Sequence, residues 1–135
     1  MKRLVIDLDD TVCAAPLSAP SGSPSDWRYA NAVPNMAIIE RLRSYKELGF
    51  TIVIHTSRNM RTFEGNVGLI NVHTLPGILA WLNRHNVPHD EVLVGKPWCG
   101  NDGFYVDDRA LRPSEFIALS HAEIAELLNK EKTGG

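Results

Sequence analysis

Apolar residues fall along this chain in short runs that end in polar groups, separated by stretches with helical spacing. Residues 3–8 are apolar and rich in β-branched side chains, and they end in acids, as in Ile6-Asp7-Leu8-Asp9-Asp10-Thr11. This is the pattern of a buried parallel strand that delivers polar groups at its carboxyl end. Phe50 to Thr56 repeats it, with Ile52, Val53 and Ile54 leading into His55-Thr56-Ser57-Arg58. Residues 91–95 and 103–107 read as two further strands. Between them, Pro34 opens a helix whose Ile38, Leu42, Tyr45 and Leu48 keep helical spacing until Gly49 stops it. After a polar loop through His73, Thr74 caps a helix carrying Ile78, Leu79, Trp81 and Leu82, with Pro76 in its first turn. Ser120 and Glu123 form a capping-box signature for a last helix that buries Ile124, Leu127 and Leu128. The tail from Lys132 to Gly135 is expected to fray.

Strands alternating with helices predict an α/β fold, a three-layer Rossmann-like domain with a mostly parallel sheet whose ligands sit beyond the strands' carboxyl ends. The 135 residues suit a single domain, 1–135. Residues 12–33 are rich in Pro, Ser, Ala and Gly and carry Trp27 and Tyr29, which reads as a long loop or small flap. One feature resists this picture. The link 96–102 is short, whereas a parallel crossover usually takes a dozen or more residues.

Composition narrows the partners. A formal net charge of −2 gives no basic field to hold nucleic acid, and no apolar stretch approaches the roughly 20 residues of a membrane span. The start, Met1 to Ile6, is interrupted by Asp7 before it could serve as a signal peptide. Two cysteines, Cys13 and Cys99, make neither a disulfide scaffold nor a closed zinc site. The expectation is a cytoplasmic protein with no nucleic-acid or membrane partner, and a homo-oligomer is left open.

The chemistry gathers at the strand ends. Asp7 and Asp9 stand two apart, and neighbouring carboxylates repel unless a cation neutralises them or one keeps a proton. A lone Asp-x-Asp is usually a solvated acidic turn. Here it is joined by Thr56 after the second strand, Lys96 after the third, and Asp107-Asp108 after the fourth. Carboxylates, a hydroxyl and an ammonium at one sheet edge suit phosphoryl transfer, because an attacking carboxylate and an anionic phosphate need positive charge between them.

These ordered motifs resemble the haloacid dehalogenase (HAD) superfamily of phosphohydrolases, of capless or minimally capped type, and the resemblance covers nearly the whole chain. More narrowly, Thr56-Ser57-Arg58-Asn59-Met60-Arg61-Thr62, Gly95-Lys96-Pro97-Trp98-Cys99-Gly100 and Val106-Asp107-Asp108-Arg109-Ala110 look like the small phosphatases of capsular polysaccharide biosynthesis. The resemblance implies that Asp7 is the nucleophile and that Asp9 protonates the leaving alkoxide and then activates water. Thr56 and Lys96 would hold phosphoryl oxygens. Mg²⁺ would be bound by Asp7, the Asp9 carbonyl and Asp107, with Asp108 in support. Which of Asp107 and Asp108 touches the metal stays open.

The implied substrate is a small phosphorylated metabolite, a sugar or polyol phosphate. A nucleotide is the alternative if Trp27 or Trp98 stacks a base, and a phospho-receiver module is the alternative from another class. A receiver's acceptor carboxylate lies on a middle strand, whereas the middle strand here ends in His55-Thr56. Residues 12–33 and 57–73 are the available cover, and Ser57, Arg58, Asn59, Arg61 and Trp98 are the candidate substrate contacts. His55 and Trp81 read as structural. Glu40, Arg41, Arg43, Lys46 and Glu47 read as a solvated helix face.

Overall fold

The structure, a computed structural model, describes residues 1–132. The chain divides into two compact units, Met1–Trp98 and Cys99–Gly135. The first unit is α/β. Its sheet is parallel and three-stranded, in the order β1 (Arg3–Ile6), β4 (Thr51–His55), β5 (Glu91–Leu93). Between β1 and β4 the chain makes β2 (Cys13–Ala14), α1 (Trp27–Ala30), β3 (Val33–Pro34) and α2 (Met36–Glu47). Between β4 and β5 it makes α3 (Val67–His73) and α4 (Leu75–Arg84).

β4 is central because Ile52, Val53 and Ile54 are all apolar and β-branched, and all three are fully buried. A strand covered on both faces needs such a continuous run. Ile38, Ile39 and Leu42 of α2, Ile78 and Leu82 of α4, and Ile70 of α3 complete the core with Leu8 and Val12. Trp81 is buried as expected, and its indole N–H donates to the Ala32 carbonyl at 3.1 Å, which ties the flap to α4.

Several local expectations need correction. Pro34 does not open α2: it pairs with Cys13 in the antiparallel β2–β3 ladder, and Asn35 caps the helix by accepting the Ile38 N–H. That ladder closes the neck of residues 12–33, so the segment is a small flap and not an open loop. Leu48 is half exposed, because the helix has ended before it. The stretch 57–73 is not all loop: Asn66 caps α3 by accepting the Leu69 N–H. Val67, Leu69 and Val72 stay exposed on α3, and this weak amphipathicity hid the helix from the sequence pattern. The Thr74 hydroxyl caps nothing; it donates to Asn59 Oδ1 at 2.8 Å.

The charged residues of α2 do more than face water. The Lys46 ammonium lies 2.6 and 2.7 Å from the two Asp90 carboxylate oxygens, and Arg43 donates to the Asn86 carbonyl at 3.2 Å. Both tie α2 to the α4–β5 connection.

In the second unit, α5 (Pro113–Ala118) and α6 (His121–Lys132) follow a long irregular stretch. The capping box is formed: Ser120 N–H donates to Glu123 Oε1 at 2.9 Å, and Glu123 N–H donates to Ser120 Oγ at 3.2 Å. Ile124 is buried, while Leu127 and Leu128 are half-buried. The expected strand at 103–107 is absent: the segment is irregular, and Phe104 and Val106 are largely exposed. A strand exists only with a ladder partner, which a β-forming sequence cannot supply alone. The frayed tail falls mostly on residues 133–135, outside the described residues. Among the described residues no helix is long and apolar enough to cross a membrane.

Asp90 gives a stability test. Its carboxylate accepts from Lys46 and from the Ile52 N–H at 2.8 Å, and the Lys46 hydrogen bond, then the Ile52 N–H, hold its pKa below the ordinary carboxylate value. Asp90→Ala is expected to cost about 1 kcal/mol near neutral pH by urea denaturation. A depressed folded-state pKa stabilises above the unfolded value, about 3.9. The difference between the variants should therefore shrink as pH falls through the lower folded-state pKa.

Candidate active site

The β1–β4 ladder pairs Val5 with Val53 and Ile6 with Ile54, so the residues that follow each strand emerge side by side. Asp7 leaves β1 there. The Leu8 carbonyl then accepts the N–H groups of Thr11, Val12 and Cys13 at 3.2, 2.9 and 3.2 Å, curling residues 9–13 into a tight turn with Asp10 at φ 64°. The turn brings the Thr11 hydroxyl to Asp7 Oδ2 at 3.1 Å.

Lys96 arrives from β5. The Thr56 N–H donates to the Leu93 carbonyl at 2.9 Å, and the Lys96 N–H donates to the Thr56 carbonyl at 3.1 Å, extending the strand pairing to the lysine. Gly95 makes the bend at φ +85°, where a Cβ would stand 2.8 Å from a Val67 methyl. The Lys96 ammonium then lies 3.5 Å from Asp7 Oδ1. Thr56 is 1% exposed, and its Oγ1 accepts the Arg58 N–H at 3.1 Å. Asp7, Thr56 and Lys96 are thus brought to one edge by backbone hydrogen bonds.

Asp9 has a different partner. Arg58 holds it with a two-pronged fork, Nη2 to Oδ1 at 2.7 Å and Nε to Oδ2 at 3.0 Å. The guanidinium lies 4.3 Å from the centre of the Tyr29 ring, and the residue is only 7% exposed. Arg58 is therefore a buried partner of an acid, held by cation–π contact and two charge-assisted hydrogen bonds.

The other expected substrate contacts are dispersed. Ser57 is half-buried, and its carbonyl accepts the Met60 N–H at 3.0 Å. Asn59 is bonded to Thr74 and Thr62. Arg61 lies over the Trp98 ring at 5.8 Å. Sequence reasoning missed Arg28 as a site residue. With Tyr29, Asp9, Asp10, Ala14, Ala15 and Ala32 it lines an open cleft of about 180 Å³ beside Asp9. The available signal was the aromatic pair Trp27 and Tyr29, which flank Arg28 in an otherwise small-residue flap.

Burial, with Asp9 adding to it, pushes the Cys13 thiol up to about 12, which leaves it unreactive. Burial lowers His55 below its ordinary value; Lys96 adds to the effect and Asp7 opposes it.

Asp107 and Asp108 lie in the second unit. Asp107 Oδ1 accepts the Arg109 N–H at 2.8 Å, and both acids line a shallow pocket with Ala110, Glu115, Leu127, Leu128 and Glu131. Among the described residues no group of three or more His, Cys, Asp or Glu side chains could hold a metal ion. Within the first unit both Asp9 carboxylate oxygens are bonded to Arg58, while Asp7 has the Lys96 ammonium and the Thr11 hydroxyl beside it.

No protein-family model and no curated protein matches the chain. A crystal structure of an MCSG target from Vibrio cholerae does: it is 56% identical over 97% of this chain and 99% of that one, with a TM-score of 0.85. At that identity over nearly the full length of both chains, this protein belongs to the same family as that Vibrio cholerae protein.

Proposed function

We propose that the protein is a phosphomonoesterase of the HAD type with at most a minimal cap, acting through an aspartyl-phosphate on a small phosphorylated metabolite. The observation that carries this reading is the convergence of Asp7, the Lys96 ammonium and Thr56 at the carboxyl ends of adjacent parallel strands. In the proposed first step, an Asp7 oxygen attacks phosphorus, the bond to the leaving oxygen breaks, and Asp9 gives that oxygen a proton. Water then cleaves the acyl phosphate, its proton passes to Asp9, and inorganic phosphate leaves. Lys96 neutralises charge on the phosphoryl oxygens, and Thr56 holds one of them.

Asp9 can transfer a proton only when one of its oxygens leaves the Arg58 fork, so Arg58 is a positioning residue for the acid. The cleft beside Asp9 is below the roughly 300 Å³ of ordinary ligand pockets, which fits a small substrate. Arg28 and Tyr29 are placed to meet its non-reacting part. A sugar or polyol phosphate of capsule or surface-polysaccharide synthesis, handled in the cytoplasm, is the substrate reading that the motif resemblance favours.

Charge supports a metal. Lys96 brings one positive charge to Asp7 and an arriving phosphate dianion together, and Mg²⁺ would supply the rest of the compensation when bound. The motif resemblance implies Asp107 and Asp108 as its other acids.

Three outcomes are expected. Asp7→Asn should lower phosphate release by on the order of 10³-fold or more while the thermal melt stays close to wild type; near-normal release would refute the nucleophile. Asp9→Asn should slow alkyl phosphates far more than aryl phosphates with good leaving groups, and equal losses would count against a general acid. Chelation by EDTA should stop turnover and added Mg²⁺ should restore it; undiminished activity after exhaustive chelation would exclude the metal.

A further inference from the structure

β1 is an edge strand: it pairs with β4 and, among the described residues, with no other strand. Val5 in its middle is 58% exposed, although parallel sheets normally have both faces covered. The same chain carries a segment with the composition of a strand, Phe104-Tyr105-Val106, that belongs to no ladder among the described residues. Phe104 is 80% exposed and Val106 88%. An open apolar edge and an unladdered strand-former are both templates for pairing.

The link between β5 and this segment bears on whose edge the segment reaches. Residues 94–102 hold no helix, and a parallel crossover takes a dozen or more residues. β5 also lies at the edge opposite β1, with β4 between. The link is shortened further at its start and end. Lys96 is held to Thr56 by its N–H, and residues 99–103 close into a turn so tight that a Cβ on Gly103 would stand 2.1 Å from the Cys99 carbonyl oxygen. Short links of this kind favour exchange of an element between identical chains over return to the same chain.

We propose that Phe104–Val106 of a second copy adds to the free edge of β1 as a parallel strand, and that the exchange is reciprocal, so that two chains complete each other's sheets. A parallel strand on that edge ends where β1 ends. The partner's Asp107 and the partner's Asp108 would therefore follow their strand out beside Asp7, adding two acids to that edge. This last consequence rests on the phosphatase reading; the exchange itself does not.

The test has two arms. Light scattering of the wild-type chain at tens of micromolar is expected to give about 30 kDa, two copies of 15.0 kDa. Phe104→Asp/Val106→Asp, at side chains exposed in the single chain, should give a monomer with a native-like far-UV spectrum. A monomeric wild type, or a double variant that stays dimeric, overturns the exchange.

In the second arm, Asp7→Asn chains are co-expressed with Asp107→Asn/Asp108→Asn chains, each inactive alone. Reciprocal exchange predicts recovery of about a quarter of wild-type activity, since half the dimers are mixed and each mixed dimer has one intact site. Co-expression without recovery, from a wild type that does turn over, overturns the shared site. A dimeric wild type that hydrolyses no phosphate ester refutes the phosphatase reading, and the mass of the double variant then decides the exchange alone.

Discussion

The parallel ladder between β1 and β4 is the constraint on which the site depends. Its register brings the chain out of both strands at the same level, so that Asp7 and the Thr56 backbone stand side by side. The backbone bonds from Thr56 to Leu93 and from Lys96 to Thr56 extend the same alignment to the lysine. Ile52, Val53 and Ile54 bury the middle of β4, where backbone groups shut off from water must find partners in the ladder. A one-residue slip against β1 would shift Asp7 along the edge relative to Thr56, so the site geometry is fixed by that register.

Charge organises what the ladder brings together. Lys96 faces Asp7, while Arg58 takes both oxygens of Asp9 and rests on Tyr29. Two carboxylates two residues apart thereby have different surroundings: Asp7 has an ammonium at 3.5 Å and the Thr11 hydroxyl at 3.1 Å, and Asp9 is held in a fork. Tyr29 belongs to the flap, so the conformation of residues 12–33 is coupled through Arg58 to the acid at the centre. The flap is held in turn by Trp81, whose indole reaches the Ala32 carbonyl. A substrate that displaces Tyr29 would act on Asp9 without touching it.

The proposed exchange follows from the same economy. A three-stranded parallel sheet with an exposed valine on its edge strand is short of cover, and Phe104–Val106 is a further segment of strand-like composition outside any ladder. Pairing between copies satisfies the edge and the apolar segment in one arrangement, and adds two acids to that edge.

The sequence by itself determined the α/β class, the two main strands, the helices around Ile38 to Tyr45 and Ile78 to Leu82, and the capping box at Ser120. In each case the signal is local, a run or period of apolar residues or a cap three residues from its partner. It also singled out Asp7, Thr56 and Lys96, because polar groups at the ends of parallel strands converge whatever the loops do. Only the tertiary structure decided that Pro34 pairs with Cys13, that Arg58 serves Asp9, that Arg28 lines the cleft, and that Lys46 reaches Asp90. These are contacts between residues 21 to 49 positions apart, or the path of the flap, and no local pattern encodes them. The segment 103–107 marks the boundary most clearly: its residues favour a strand, but a strand needs a neighbour, and whether one is present is a property of the assembled fold and not of the segment.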